Sequence, residues 1–166
     1  MDPAHAAATI IAHVTDGVAL ARQYRLPRRI DDFILEHHGT MITRYQFNKA
    51  IEAAGGNASK VDKENFRYPG PRPRSRETAL LMLADGVEAR ARAERPQDEE
   101  ALRKVVLSTI ESAQKQGQFD NTQLTLRDLS IITESFVNVL RGTHHPRVSY
   151  PKEESAVTNV LTAPRK

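Results

Sequence analysis

Glu36-His37-His38-Gly39 sets two imidazoles side by side in front of a glycine. Neutral imidazole is the commonest protein ligand for transition metals, and packing rarely calls for two adjacent histidines at a helix end. Neighbouring residues on an α-helix point about 100° apart, so both rings can meet one ion only where the helix stops and the backbone turns. Gly39 supplies that stop as a left-handed cap. The competing reading, a cationic C-terminal cap on the helix dipole, suits one histidine better than two. His13 and Asp85 each fall on an apparent apolar stripe, His13 with Ile10, Gly17, Leu20 and Tyr24, and Asp85 with Leu81, Met82 and Ala89. A carboxylate buried there needs a cationic partner or it protonates. An arginine or a metal ion would serve Asp85, and a hydrogen-bonded core position would equally account for His13. His144 and His145 also follow a helix end, but beside Pro146 they read as surface residues.

Arg67, Arg72, Arg74 and Arg76 crowd one Pro-rich stretch. A guanidinium fork matches phosphoryl oxygens, which makes Arg67 and Arg72 candidate substrate-binding residues; a solvated loop is the alternative. Asp31, Asp32 and Glu36 flank the histidines and could orient the imidazoles from behind, with solvent exposure the plainer role for the two aspartates.

Helices must carry these groups. Asp2-Pro3 opens like a helix start, and a first helix runs from about Pro3 to Tyr24 until Leu26-Pro27 breaks it. A short second helix carries Ile30, Phe33, Ile34 and the histidine pair. A third spans roughly Met41 to Ala54 and stops at Gly55-Gly56. Residues 57–73, ending Tyr68-Pro69-Gly70-Pro71-Arg72-Pro73, cannot form a helix interior and read as a rigid extended loop. A fourth helix follows from about Ser75 to Glu94, and a fifth from Gln97 to Gln116 buries Leu102, Val105, Val106, Thr109 and Ile110. A sixth opens at Thr125-Leu-Arg-Asp128 and carries Leu129, Ile132, Phe136, Val139 and Leu140 to Gly142. No strand-like alternation appears, so the expected class is all-α with about six helices. Residues 1–151 would form the domain and 152–166 a disordered tail.

Composition narrows the chemistry. The chain has 166 residues, 39% of them apolar and 27% charged, which suits one globular domain. With no cysteine, ligands come from His, Asp and Glu alone. A net charge of +3 with no tryptophan argues against a nucleic-acid polymer as partner. The longest apolar runs, such as Ala6 to Ala12 and Ala79 to Ala84, fall short of a bilayer span, so no membrane crossing is expected.

Five segments together resemble a known family: His13-Val14-Thr15-Asp16-Gly17; Leu26-Pro27 through Glu36-His37-His38-Gly39-Thr40; Phe66-Arg67-Tyr68-Pro69-Gly70-Pro71; Glu77-Thr78-Ala79 through Asp85 to Ala89; and His145-Pro146 to Pro151. They are similar to the cytosolic HD domain of bacterial seven-transmembrane HD proteins, the PgpH-type cyclic-di-AMP phosphodiesterases. The resemblance implies an HD-type helical bundle with two divalent metal ions, manganese or iron, which hydrolyses a cyclic dinucleotide to the linear form. By motif, His13, His37 and His38 would hold one ion and Asp85 the other; a paired site can generate a nucleophile and neutralise phosphoryl charge. An HD enzyme acting on another nucleotide, or a non-catalytic helical module, are the alternatives. The family's domain also carries an earlier histidine and a His-Asp dipeptide whose aspartate bridges the metals, and this sequence has no His-Asp dipeptide. The expectation is therefore an N-terminally truncated bundle on the cytoplasmic side of the membrane. It would hold metal in part, turn over slowly by itself, and expose an apolar face that favours self-association.

Overall fold

Asp2 starts the first helix by accepting the backbone N–H of His5, with Pro3 at the first helical position, where a missing N–H costs nothing. The structure, a computed structural model, describes residues 2–143; His144, His145 and the expected tail lie outside them. Six helices follow in order: α1 (Pro3–Gln23), α2 (Arg28–Glu36), α3 (Arg44–Ala53), α4 (Arg76–Glu94), α5 (Glu99–Lys115) and α6 (Leu126–Thr143). Among the described residues there is no strand, only an isolated antiparallel bridge between Ile42 and Arg67.

The caps explain the boundaries. Ser75 and Thr78 form a reciprocal capping box at the start of α4. Asp98 accepts the Ala101 N–H at the start of α5, and Thr125 and Asp128 satisfy each other's backbone N–H groups ahead of α6. The third helix begins three residues later than its sequence suggests. The backbone of 41–43 is committed to the crossing loop instead: Thr43 N–H donates to the Phe66 carbonyl at 2.8 Å and Tyr68 N–H to the Met41 carbonyl at 2.9 Å. That loop contains two 3-10 turns, Ala58–Lys60 and Lys63–Phe66, and the second buries Phe66 against Phe47 of α3.

Two groups of helices pack around these connections. α4, α5 and α6 share a core of Leu83, Val87, Ala91, Leu102, Val105, Val106, Ile110, Ala113 and Val137. α1 packs on α2, α3 and the second 3-10 turn through Ala7, Val14, Val18 and Ala21, while α2 lies against α4 and joins the two groups. In α5 the buried residues are those the periodicity indicates.

In α1 and α4 the helix is rotated from the expected phase. Ile10, Leu20 and Tyr24 are exposed, and in α4 the buried set is Thr78, Ala79, Met82, Leu83, Val87 and Ala91, which leaves Leu81 and Asp85 facing outward. Both helices contain predominantly apolar runs, 6–12 (with Thr9) and 79–84, that fit more than one face, so tertiary packing selects the phase. By length and composition α1 is apolar enough to cross a membrane, although no single uninterrupted run suggests it. Here one face of it, Ala7, Val14, Val18 and Ala21, is buried in the fold, while Ile10 and Leu20 stay exposed.

Candidate metal centre

Three imidazoles meet where α1 passes the end of α2. His13 comes from the middle of α1, His37 is the C-cap residue of α2, and His38 follows it into the turn closed by Gly39 at φ +50°. One ring nitrogen of each lies within 4.8 Å of the others. The turn lets adjacent side chains converge: the His37 and His38 ring centroids are 4.0 Å apart and tilted by 39°, which no continuous helix permits.

Hydrogen bonds orient two of the rings. His37 Nδ1 lies 2.7 Å from the Ile34 carbonyl, and His13 Nδ1 contacts the Ile10 carbonyl. A carbonyl can only accept, so Nδ1 carries the proton in both rings, and in the neutral form Nε2 holds the lone pair. Those two Nε2 atoms face each other at 3.1 Å. Two lone pairs at that distance repel unless a cation lies between them. The separation also matches two adjacent nitrogens on an ion with bonds of about 2.1 Å. Histidine ligands typically donate their other ring N–H to a carbonyl or carboxylate; His13 and His37 already do so, and the donor set fits a divalent transition metal.

His38 differs. Its ring stacks on Tyr68 with centroids 4.2 Å apart and planes 21° apart, and its Nδ1 lies 3.6 Å from Asp85 Oδ2. Burial, followed by electrostatic interaction with His37 and His13, lowers its pKa to about 3, so the imidazole is neutral near pH 7 with a lone pair to offer. Burial and then the Asp85 carboxylate push the Tyr68 phenol up to about 12.

Asp85 is thus brought to the edge of the cluster, but not as a buried charge on an apolar stripe. Its side chain is 46% exposed, so water rather than a compensating cation solvates it. His13 is likewise exposed.

Glu36 proves more structural than its sequence position suggests. Only 1% exposed, it accepts the backbone N–H of Arg74 at 2.9 Å, Arg74 Nε at 2.7 Å and the Thr78 hydroxyl at 2.7 Å. It therefore ties the end of α2 to the start of α4, and its carboxylate hydrogen-bonds neither histidine. Asp31 and Asp32 make surface ion pairs, Asp31 with Arg22 and Asp32 with Arg29 and Arg74. Arg67 grips Glu64 with two nitrogens, at 2.7 and 2.9 Å, and donates a third bond to the Thr40 carbonyl at 2.8 Å. Arg72 pairs with Asp120 at 2.9 Å. Both guanidinium groups have protein partners here, and neither bonds to the histidines.

Tyr68, Thr78 and Gln118 are functional neighbours that no spacing pattern singles out. Tyr68 lies within a segment that stands out as a motif, whereas Gln118 is 78 positions from its partner Thr40 and carries no local signal.

Comparison with known proteins bears on this geometry. No protein-family model matches the chain. It is 35% identical over 148 residues, 89% of its length, to the cyclic-di-AMP phosphodiesterase PgpH of Bacillus subtilis. It is 38% identical over 164 residues to an uncharacterised protein of Synechocystis sp.. The chain spans only 20% of the length of each of these relatives. The crystal structure of the Listeria monocytogenes PgpH HD domain in complex with cyclic-di-AMP superposes with a TM-score of 0.80 at 28% identity, covering 90% of this chain and 68% of that one. In sequence and in fold the chain is a homologue of the PgpH phosphodiesterases, and what it shares with them is the larger part of their HD domain.

Proposed function

We propose that the chain forms the larger part of a metal-dependent phosphodiesterase domain that hydrolyses a cyclic dinucleotide, cyclic-di-AMP by likeness to its relatives, to the linear dinucleotide. The observation that carries this reading is the pair of Nε2 atoms of His13 and His37, oriented by their Nδ1–carbonyl bonds and facing each other at 3.1 Å, with His38 beside them. His13, His37 and His38 would hold one divalent ion, manganese or iron, and Asp85 would serve a second. When bound, such ions supply Lewis-acid stabilisation of charge developing on phosphoryl oxygens. The chain's own residues keep the His38 imidazole neutral and fix the orientation of His13 and His37 through their Nδ1–carbonyl bonds, and Tyr68 stacks on His38 as a protonated phenol.

Three imidazoles and one exposed carboxylate are few ligands for two ions, and no His-Asp dipeptide supplies a bridging aspartate. Slow turnover by this chain alone is the expected result. Incubating purified protein with manganese and cyclic-di-AMP, and resolving cyclic from linear dinucleotide by chromatography, measures that turnover. Metal analysis of the parent beside a His37→Ala, His38→Ala variant tests the centre: the parent should retain metal that the variant loses, and equal contents would exclude the site.

A second reading, an interaction module, draws on an exposed apolar surface where α1 meets α2: Leu20 (55% exposed), Tyr24 (68%), Leu26 and Ile30. Sedimentation decides it, since a concentration-independent monomer would remove its support.

A further inference from the structure

We infer that Gln118, in the turn after α5, is a positioning residue for the histidine pair, acting through Thr40. This inference rests on the metal reading above. Two adjacent histidines converge only while the backbone at 37–40 keeps its turn, and that turn comes at the end of a nine-residue helix with two short-range backbone bonds, Gly39 N–H to the Glu36 carbonyl at 3.0 Å and Met41 N–H to the His38 carbonyl at 3.1 Å. Local sequence alone holds it weakly, so outside contacts must set it.

Thr40 supplies the handle. Its N–H donates to Gln118 Oε1 at 3.0 Å, its hydroxyl accepts from Gln118 Nε2 at 3.0 Å, and its carbonyl accepts from Arg67 at 2.8 Å. The second Gln118 Nε2 proton goes to the Gln116 carbonyl at 3.1 Å. The carboxamide therefore has every donor and acceptor engaged while only 1% exposed, and a buried amide in that state has one orientation.

The contact is also tight. A Cβ on Gly39 would lie 2.2 Å from Gln118 Oε1 and 2.6 Å from Met82 Cε. Gln118 itself is anchored, since its N–H bonds the Ala113 carbonyl at 3.0 Å, within the α4–α5–α6 core, and Arg72 pairs with Asp120 two residues on. The rigid group of helices thus fixes the ligand-bearing turn of the other group. Arg67 and Arg72 brace the same latch from either side.

The test measures manganese affinity by titration calorimetry for the parent, Gln118→Ala, Thr40→Val and Thr40→Ser, beside a Val106→Ala core variant matched for loss of melting temperature. Gln118→Ala and Thr40→Val should bind at least about tenfold more weakly, the scale of losing a residue that orients a ligand. Thr40→Ser, which keeps the hydroxyl, and Val106→Ala should stay within about twofold of the parent. Equal loss in Gln118→Ala and Val106→Ala would reduce Gln118 to general stability and overturn the inference, as would parental affinity in both latch variants. If the parent binds no manganese, the metal reading fails separately. The latch is then judged by the imidazole resonances of the metal-free protein: distinct, slowly exchanging His37 and His38 environments should merge toward random-coil positions in Gln118→Ala, and unchanged spectra would refute it.

Discussion

At the scale of single residues, the decisive fact is which nitrogen of each imidazole is free. The Ile10 and Ile34 carbonyls take the Nδ1 protons and leave the Nε2 atoms of His13 and His37 converging, so removing one ring should abolish the centre. His37→Ala is expected to weaken manganese binding by about 100-fold or more, about 2.7 kcal/mol at 1.36 kcal/mol per decade, as read by calorimetry; a change under threefold would refute its role as ligand. Tyr68 separates packing from chemistry. Its ring stacks on His38, while its hydroxyl makes no hydrogen bond among the described residues. Tyr68→Phe should therefore leave stability within about 0.5 kcal/mol, whereas Tyr68→Ala should cost about 3–5 kcal/mol, the usual range for deleting a buried ring. Thermal melts of the two variants check this, and equal losses would show that the hydroxyl matters.

At the scale of elements, the end of α2 carries the site, and its position comes from partners in α4 and in the turn after α5. Glu36→Ala would strip acceptors from the Arg74 backbone, the Arg74 guanidinium and the Thr78 hydroxyl at once. With Arg74 half-exposed, water recovers part of that loss, and a destabilisation of about 2–3 kcal/mol is expected from denaturant titration. Gly39→Ala should do at least as much damage, because φ +50° disfavours a side chain and the added methyl would overlap Gln118. The start of α6 is one pH-sensitive element. The Thr125 hydroxyl and N–H, together with Arg76, hold the Asp128 carboxyl below the usual carboxylate range. A depressed folded-state pKa contributes stability that is complete above the unfolded value, near 3.8, and is lost as pH falls through the folded one. Amide exchange in the first turn of α6 should therefore accelerate below about pH 3.8 in the parent, and much less in Asp128→Asn, which cannot titrate. Matching profiles would dismiss the carboxylate as the cause.

At the scale of the molecule, two helix groups meet along α2 and α4 with the candidate centre on that seam, and an exposed apolar surface lies at the α1–α2 connection, the opposite end of α2 from the histidine pair. If that surface drives association, Leu20→Glu with Tyr24→Glu should convert any concentration-dependent oligomer to monomer in sedimentation while leaving manganese affinity unchanged; an oligomer that persists would place the contact elsewhere. Much of this architecture is written locally. Caps at Asp2, Ser75, Asp98 and Thr125, the break at Leu26-Pro27 and the stop at Gly39 are short-range chemistry, which is why six helices and the candidate ligand residues can be read from sequence. The rotation of α1 and α4 cannot, since their apolar runs fit several faces and only the neighbouring helices choose among them. Nor can the partners of charged and polar groups. Arg67 and Arg72 look like phosphate ligands in isolation, but in the fold they meet Glu64, Thr40 and Asp120, and Glu36 becomes a buried tie rather than a support for the imidazoles. Sequence by itself determined the six helices, most of their caps and the identity of the candidate ligands. Tertiary structure alone decided that two Nε2 atoms face one another at 3.1 Å and that a glutamine 78 residues from Thr40 holds the turn, because convergence of side chains from distant segments depends on packing that no local pattern encodes.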